Sequence, residues 1–341
     1  MIDIKSMLPD EIVDFTVNEL NAPKFRATQI TDWLSKGITD FDEMKNLPKS
    51  IIETLKSICY ISVANIEKKL KSSYDETVKY LFSFRDKECV EAVVMKYKHG
   101  YSMCISTQVG CKMGCTFCAT GMQGFTRQLE PSEMLAQIEA AQRDLKIRIS
   151  NIVLMGMGEP LDNYANVVKF LRLVSDEKGL NIGLRHITLS TCGLVPKIYD
   201  LAEEGMPVTL SLSLHAPTDE IRSKTMPVNR KYPVDEAIRA CKYYADKTGR
   251  RITYEYAMIK GVNDTPFCAH SLGQLIKGTL CHVNLIPVNP VQGTGYNPSN
   301  DKNIIAFREI LSKYNVNSTV RRTLGADINA SCGQLKGKNN K

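Results

Sequence analysis

Cys111, Cys115 and Cys118 fall in the run Gly110-Cys111-Lys112-Met113-Gly114-Cys115-Thr116-Phe117-Cys118, a C-x3-C-x2-C spacing. Three thiolates on one short loop can hold three corners of a 4Fe-4S cubane, leaving the fourth iron open to an outside ligand that offers an amino and a carboxylate group. Phe117 lies where it can shield such a cluster from water. The competing reading is structural zinc. Zinc sites of that kind are closed by four ligands in paired spacings, and the sequence contains no further C-x2-C or H-x3-H pair to complete one. A cluster with one vacant corner is therefore expected.

The elements around this loop must hold it at the end of a strand. From Tyr101 onward, short β-branched runs alternate with amphipathic helical stretches: SMCIST, NIVLMGMG, HITLST, VTLSLS, ITYEYAMI and HVNLIPV, with STVRR as a final strand. This alternation predicts parallel strands joined by crossover helices, an α/β fold built on a partial (β/α)6 barrel. Helix starts are expected at Pro131-Ser132-Glu133 and at Pro233-Val234-Asp235-Glu236, each with acid in the first turn. Such barrels collect function on the loops after the strands, which is where the cysteine loop falls. Residues 1–90 read as a small helical module plus a linking hairpin (VKYLFSF and VEAVVMKY), and residues 91–341 as the barrel core with its C-terminal segment.

Composition narrows the class. Apolar residues make up 43% and charged residues 24% of the 341, and no window nears a membrane-spanning apolar run. The N-terminus MIDIKSMLPDEIVDF lacks the basic start and apolar stretch of a secretory signal, so a cytoplasmic location, with no membrane partner, is expected. Eleven cysteines, an odd number, point to metal or thiol chemistry rather than a disulfide framework. The net charge of +7 is compatible with a polyanionic partner.

The cysteine spacing resembles the signature of the radical S-adenosylmethionine (SAM) superfamily, in which the open iron binds SAM. Met155-Gly156-Met157-Gly158-Glu159-Pro160, one strand later, is similar to that superfamily's glycine-rich motif. There Gly158 would let the backbone approach SAM and Glu159 would receive its ammonium. Ser190, Ser213, Leu214 and His215 stand at later strand ends and offer groups to a ribose or carboxylate, and Asn289 offers hydrogen bonds to adenine or ribose.

Longer motifs resemble the RlmN/Cfr family of radical SAM RNA methyltransferases over nearly the whole chain. They are RATQITDWL, LPKSI, CISTQVGCKMGCTFCATGMQGF, NIVLMGMGEPLDNY, RHITLSTCGLVP, SLSLHAPTDEIRSKTMPVNRKYP, HVNLIPVNP and ASCGQL. The resemblance implies that Cys332 carries a methyl group as S-methylcysteine, two SAM being used per methylation. It also implies that Cys104 resolves a protein-RNA crosslink through a transient disulfide, and that Glu91 accepts a proton. Without the resemblance, Glu91 reads as a surface carboxylate on a strand. The implied substrates are an adenosine C2 in 23S ribosomal RNA and in the anticodon loop of transfer RNA, with a flavodoxin- or ferredoxin-type electron donor and a monomeric enzyme. C8 methylation of ribosomal RNA is the alternative regiochemistry. A non-catalytic zinc-stabilised RNA-binding protein is the alternative class. Lys68, Lys69, Lys71, Lys96, Lys98, Arg321 and Arg322 are candidate phosphate contacts. At the C-terminus Asn329 and Ser331 stand where the family pattern has an acid and an alanine.

Overall fold

A computed structural model describes residues 1–336 of the chain. The first part forms its own small core. Strand β1 (Ile2–Asp3) pairs in parallel with β2 (Cys59–Tyr60), and helices α1 (Pro9–Asn18), α2 (Phe25–Ser35) and α3 (Lys49–Ile58) lie between them in sequence. Ile12, Phe15, Ile30, Leu34, Phe41 and Leu55 bury one apolar cluster that is separate from the main core. The module is fastened to the barrel by charge: Lys5 and Glu139 form an ion pair with side chains only 5% and 10% exposed. Asp3 accepts hydrogen bonds from Ser62 and from Ser132 across the junction.

The main sheet has ten strands. β3 (Asn65–Lys71), β4 (Val78–Ser83) and β5 (Cys89–Tyr97) run antiparallel to their neighbours and join β6 (Gly100–Cys104). After β6 come the short ladder of β7 (Gln108–Gly110) with β8 (Phe125–Gln128) and then the parallel strands. These are β9 (Ile149–Leu154), β10 (Ile187–Thr191), β11 (Thr209–Ser213), β12 (Ile252–Met258), β13 (Cys281–Pro287) and β14 (Ser318–Val320). Each pairs in parallel with the next, and β9 pairs in parallel with β6. All six strand runs read from the sequence, and the final STVRR, are present. The hairpin expected to act as a linker is instead the outer part of this sheet, because Val78, Tyr80, Phe82, Val90 and Ala92 are buried in the barrel's core.

The crossover helices follow from local rules. α4 (Ala119–Gln123) is a short piece after the cysteine loop, and α5 (Pro131–Leu145) opens with Pro at its first turn and a Glu130/Glu133 capping box. α6 (Tyr164–Ser175), α7 (Val195–Glu203) and α8 (Asp219–Thr225) lead to α9 (Val234–Thr248). α9 buries Ala237, Ile238, Cys241, Tyr244 and Ala245 along one face, carries Asp235 and Glu236 in its first turn, and stops at Gly249 in the left-handed region. α10 (Pro266–Ile276) and α11 (Asp301–Lys313) complete the outer layer. Among the described residues no helix is long and apolar enough to cross a membrane.

Candidate active site

The loop carrying Cys111, Cys115 and Cys118 runs from β7 into α4 and is fixed from three sides by its own backbone. Cys111 N–H donates to Gly124 O (2.8 Å), Thr116 N–H to Thr225 O at the end of α8 (2.9 Å), and Cys118 N–H to Cys115 O (3.2 Å). Burial, reinforced by the neighbouring thiols, pushes Cys115 far above the ordinary thiol range, and burial raises Cys111 to about 12. Such thiols give up their protons to a metal rather than to water. Among the described residues no three His, Cys, Asp or Glu side chains close around a single ion. Thiolates on one zinc would stand roughly 3.8 Å apart, whereas a cubane spreads its ligands over separate irons. Three thiols on one loop, without the fourth ligand in paired spacing that a structural zinc site needs, fit a cluster better than a lone ion.

The glycine-rich loop after β9 is stitched to the strand ends beside it. Ser106 Oγ donates to Glu91 O (2.6 Å) and accepts from Met157 N–H (2.9 Å). Gly158 has φ +104°, and a Cβ there would lie 2.6 Å from the Cβ of Gln108, so only glycine fits. Gln108 Oε1 in turn accepts from Glu159 N–H (2.8 Å). Glu159 is buried, and its carboxylate takes Cys192 N–H (2.7 Å) and Leu161 N–H (3.1 Å), which ties this loop to the end of β10. Both oxygens already serve the backbone, so an incoming ammonium would share them.

Ser190 and Ser213 stand side by side at adjacent strand ends, 3.4 Å apart. His215 is buried, and burial together with the Arg222 charge lowers it to about 3, so its ring is neutral at physiological pH. Its Nδ1 accepts from Ala257 N–H (2.9 Å), which leaves the proton on Nε2, and the ring meets Phe117 edge-on. Leu214 is spent on structure: its side chain is buried, its N–H donates to Glu255 O and its carbonyl accepts from Arg222.

The C-terminal tail crosses the barrel mouth and is held there by its main-chain carbonyls together with the side chains of Asp327, Ser331 and Gln334. Ala119 N–H donates to Gly333 O (2.8 Å), Thr120 Oγ1 to Leu335 O (2.8 Å), and Asn289 Nδ2 to Cys332 O (3.0 Å). Asn289 thus anchors the tail. Farther back, Asp327 accepts from Ser72 Oγ (2.7 Å) and Ser73 N–H (2.8 Å) on the turn between β3 and β4. Cys332 and Cys104 line one small cavity of about 40 Å³ together with Tyr97, Met155 and Arg321. Burial, then the adjoining Cys332, pushes the Cys104 thiol up to about 12.

Glu91 is no surface carboxylate, because the tail covers it. Its side chain is 13% exposed, with Oε1 3.1 Å from Lys79 Nζ, while Oε2 accepts from Lys336 N–H (2.8 Å). Lys79 also donates to Asn329 O (3.2 Å). Arg321, read as a phosphate contact, points inward: Nη1 lies 3.7 Å from Met155 Sδ and 3.9 Å from Glu255 Oε2, and charge on Cys332 raises its already high pKa further. Lys69 and Lys96 are engaged by Asp144 (2.5 Å) and Glu76 (2.7 Å), whereas Lys68 faces an open groove of about 570 Å³ that also borders Glu91 and Lys336. Lys79, Ser106 and Arg222 were missed. The signal for Lys79 was a lysine inside the apolar run VKYLFSF; the other two are placed only by the fold.

Residues 105–270 match the Radical SAM superfamily, and residues 2–61 match the Ribosomal RNA large subunit methyltransferase N-terminal domain. A probable dual-specificity RNA methyltransferase RlmN of Alkaliphilus oremlandii is 55% identical, with 99% of this chain and 98% of that protein aligned. The protein of the same description from Clostridium acetobutylicum is 53% identical over 96% of this chain and 97% of its own length. A radical SAM methyltransferase from Sphaerobacter thermophilus, 41% identical, superposes with a TM-score of 0.93 over 99% of this chain and 100% of that one.

Proposed function

The chain belongs to the RlmN family of radical SAM RNA methyltransferases, and from that premise we propose that it methylates C2 of a specific adenosine in 23S ribosomal RNA and of an adenosine in the anticodon loop of transfer RNA. The observation that carries this reading is the cavity shared by Cys104 and Cys332 beside the cysteine loop. A radical SAM enzyme that only abstracts hydrogen has no need of two cysteines lining one cavity there.

Cys111, Cys115 and Cys118 would hold the 4Fe-4S cluster, and Gly158, Glu159, Ser190, Ser213, His215 and Asn289 would line the SAM site. Together, when bound and reduced, cluster and SAM supply a 5'-deoxyadenosyl radical able to take a hydrogen atom from a methyl group. The chain's own residues do the rest. Cys332 attacks the methyl of a first SAM as a thiolate, with the Arg321 guanidinium beside it to stabilise that charge. Once that methyl has given up a hydrogen atom, its carbon would bond to the adenine, and the unpaired electron left on the adduct would pass back to the oxidised cluster. Glu91 accepts the proton lost from the base, and Lys79 holds its carboxylate in place. The Cys104 thiolate then attacks Cys332 Sγ: a sulfur–sulfur bond forms, the sulfur–carbon bond breaks with its electron pair going to the methylene carbon, that carbon takes up a proton from water to become the methyl group, and the methylated RNA leaves. An external dithiol must reduce that disulfide before the next cycle. The electron for SAM cleavage is assigned to a flavodoxin or ferredoxin type of donor, and the enzyme to the cytoplasm as a monomer.

The test is nucleoside analysis of ribosomal and transfer RNA after anaerobic incubation with SAM and a reductant. 2-Methyladenosine in both is the expected product. 8-Methyladenosine alone would overturn the regiochemistry, and a colourless protein free of iron and sulfide would overturn the whole reading.

A further inference from the structure

Arg222 is the largest fully buried side chain in the protein, and every partner it has is neutral. Its Nε donates to Leu214 O (2.9 Å), Nη1 to Asn229 Oδ1 (3.0 Å), and Nη2 to Cys192 O (2.6 Å) and Ser213 O (3.0 Å). Among the described residues no carboxylate lies within ion-pair distance of it. The acids nearby reach it only through intermediaries: exposed Asp219 accepts from the amide of Asn229, and Glu159 holds the N–H of Cys192 while Arg222 holds its carbonyl. A guanidinium taken out of water without a counter-charge is among the costliest groups a fold can bury. Four hydrogen bonds satisfy four of its five N–H donors, and none answers its charge.

The helix that carries Arg222 lies directly beneath the cysteine loop, since Thr225 at its end accepts the Thr116 N–H. Three thiolates around a 4Fe-4S core give a net negative group, more so after one-electron reduction. We propose that Arg222 is the buried counter-charge of the cluster, a positioning residue that favours the reduced state from which SAM is cleaved. The inference rests on the cluster reading above, and it explains why a cation is kept where carbonyls and an amide alone would satisfy any neutral donor.

The test is a potentiometric titration of the cluster, followed by electron paramagnetic resonance, in anaerobically reconstituted protein carrying Arg222→Gln or Arg222→Lys. Gln keeps polar groups but removes the charge; Lys keeps the charge but cannot make all four bonds. At a fixed potential the reduced fraction in Arg222→Gln should fall at least tenfold relative to oxidised, a shift of about 59 mV to lower potential for one electron. Arg222→Lys should titrate like the wild type even where it melts at lower temperature. If both variants titrate like the wild type, or both shift alike, the charge has no such role and Arg222 is a staple for the strand ends. If Arg222→Gln does not fold, Arg222→Met takes its place as the uncharged variant: a midpoint lowered by about 59 mV while Arg222→Lys stays put supports the proposal, and a midpoint at the wild-type value overturns it. Absence of iron and sulfide from the wild type would instead sink the cluster reading.

Discussion

Replacing Glu91 by glutamine separates its part in holding the tail from the proton-acceptor role proposed for it. The amide has nearly the same shape, so its oxygen can still accept from Lys336 N–H, now 2.8 Å from Oε2. What disappears is the charge facing Lys79 Nζ at 3.1 Å, in a pair whose side chains are 10% and 13% exposed and hence weakly screened. A charge-assisted hydrogen bond of this sort contributes about 1.5–3 kcal/mol. Lys79 keeps its bond to Asn329 O (3.2 Å), so the net loss of stability should be ~1–2 kcal/mol and the melting temperature should fall by ~1–3 °C. A proton acceptor, by contrast, is typically worth ~10²–10⁴ in rate, which is roughly 3–5 kcal/mol of barrier. The assay is a single turnover with labelled RNA, resolved on a denaturing gel into free RNA and a slower protein-bound species. Glu91→Gln should form the covalent species, then release methylated RNA ~10²–10⁴ times more slowly than the wild type. Release at the wild-type rate from a protein that merely melts earlier would refute the proton-acceptor role, and so would a variant that never forms the covalent species.

Other perturbations read out separate parts of the site. Cys104→Ala should trap the same covalent RNA-protein species permanently, and free methylated RNA from that variant would rule out the disulfide step. In the wild type the Cys104 thiol, raised to about 12 by burial and then by Cys332, is almost wholly protonated at neutral pH. Its thiolate fraction grows with pH, so release should accelerate about tenfold per unit between pH 7 and 9; a flat profile contradicts this. The same shift acts on stability: the unfolded thiol ionises near 9.0 and the folded one near 12, so the contribution is whole below 9.0 and lost as pH climbs towards 12. Gly158→Ala, forced against Gln108 at a positive φ, should cost ~1–3 kcal/mol and weaken SAM binding by the order of tenfold, about 1.4 kcal/mol, by equilibrium dialysis with iron content unchanged. Asp327→Ala frees the tail from Ser72 and Ser73 and should lower methylated RNA formed per SAM consumed; an unchanged ratio would mean that the latch has no bearing on where Cys332 sits.

The parallel half of the barrel was readable because strands buried on both faces appear as short apolar runs whatever lies beside them, and helices such as α9 announce their ends with acids and glycine. The antiparallel half was less so. Lys79 is paired in register with Val93, and Glu91 with Leu81, so the two charges meet only as diagonal neighbours across β4 and β5. That offset depends on the turn between the strands, and a slip of one residue would place them on opposite faces. Nor could any local pattern tell that the tail covers Glu91, since Lys336 lies 245 positions further along the chain. The cysteine loop was easier to single out for the opposite reason: its three cysteines fall within eight residues of sequence, on one loop between β7 and α4.

The two C-terminal departures from the family pattern bear on how Cys332 is placed. Asn329 takes φ +50°, a left-handed conformation that asparagine tolerates better than most residues, and it is its carbonyl that Lys79 binds. Ser331 adds one bond, from its hydroxyl to Leu324 O (3.1 Å). Neither side chain touches the backbone bonds that carry the tail over the mouth, which run from Ala119, Thr120 and Asn289 to the carbonyls of Gly333, Leu335 and Cys332. On the proposed mechanism the Cys332 sulfur meets SAM, then adenine, then Cys104, which needs a carrier whose path is set mainly by main-chain bonds, and such a path tolerates changes at 329 and 331. It should not tolerate them at Gly325, where φ is +62° and a Cβ would come within 2.7 Å of Ala330 Cβ. The tail's sensitive point is therefore a glycine seven residues before the reactive cysteine, at the turn that sets its direction.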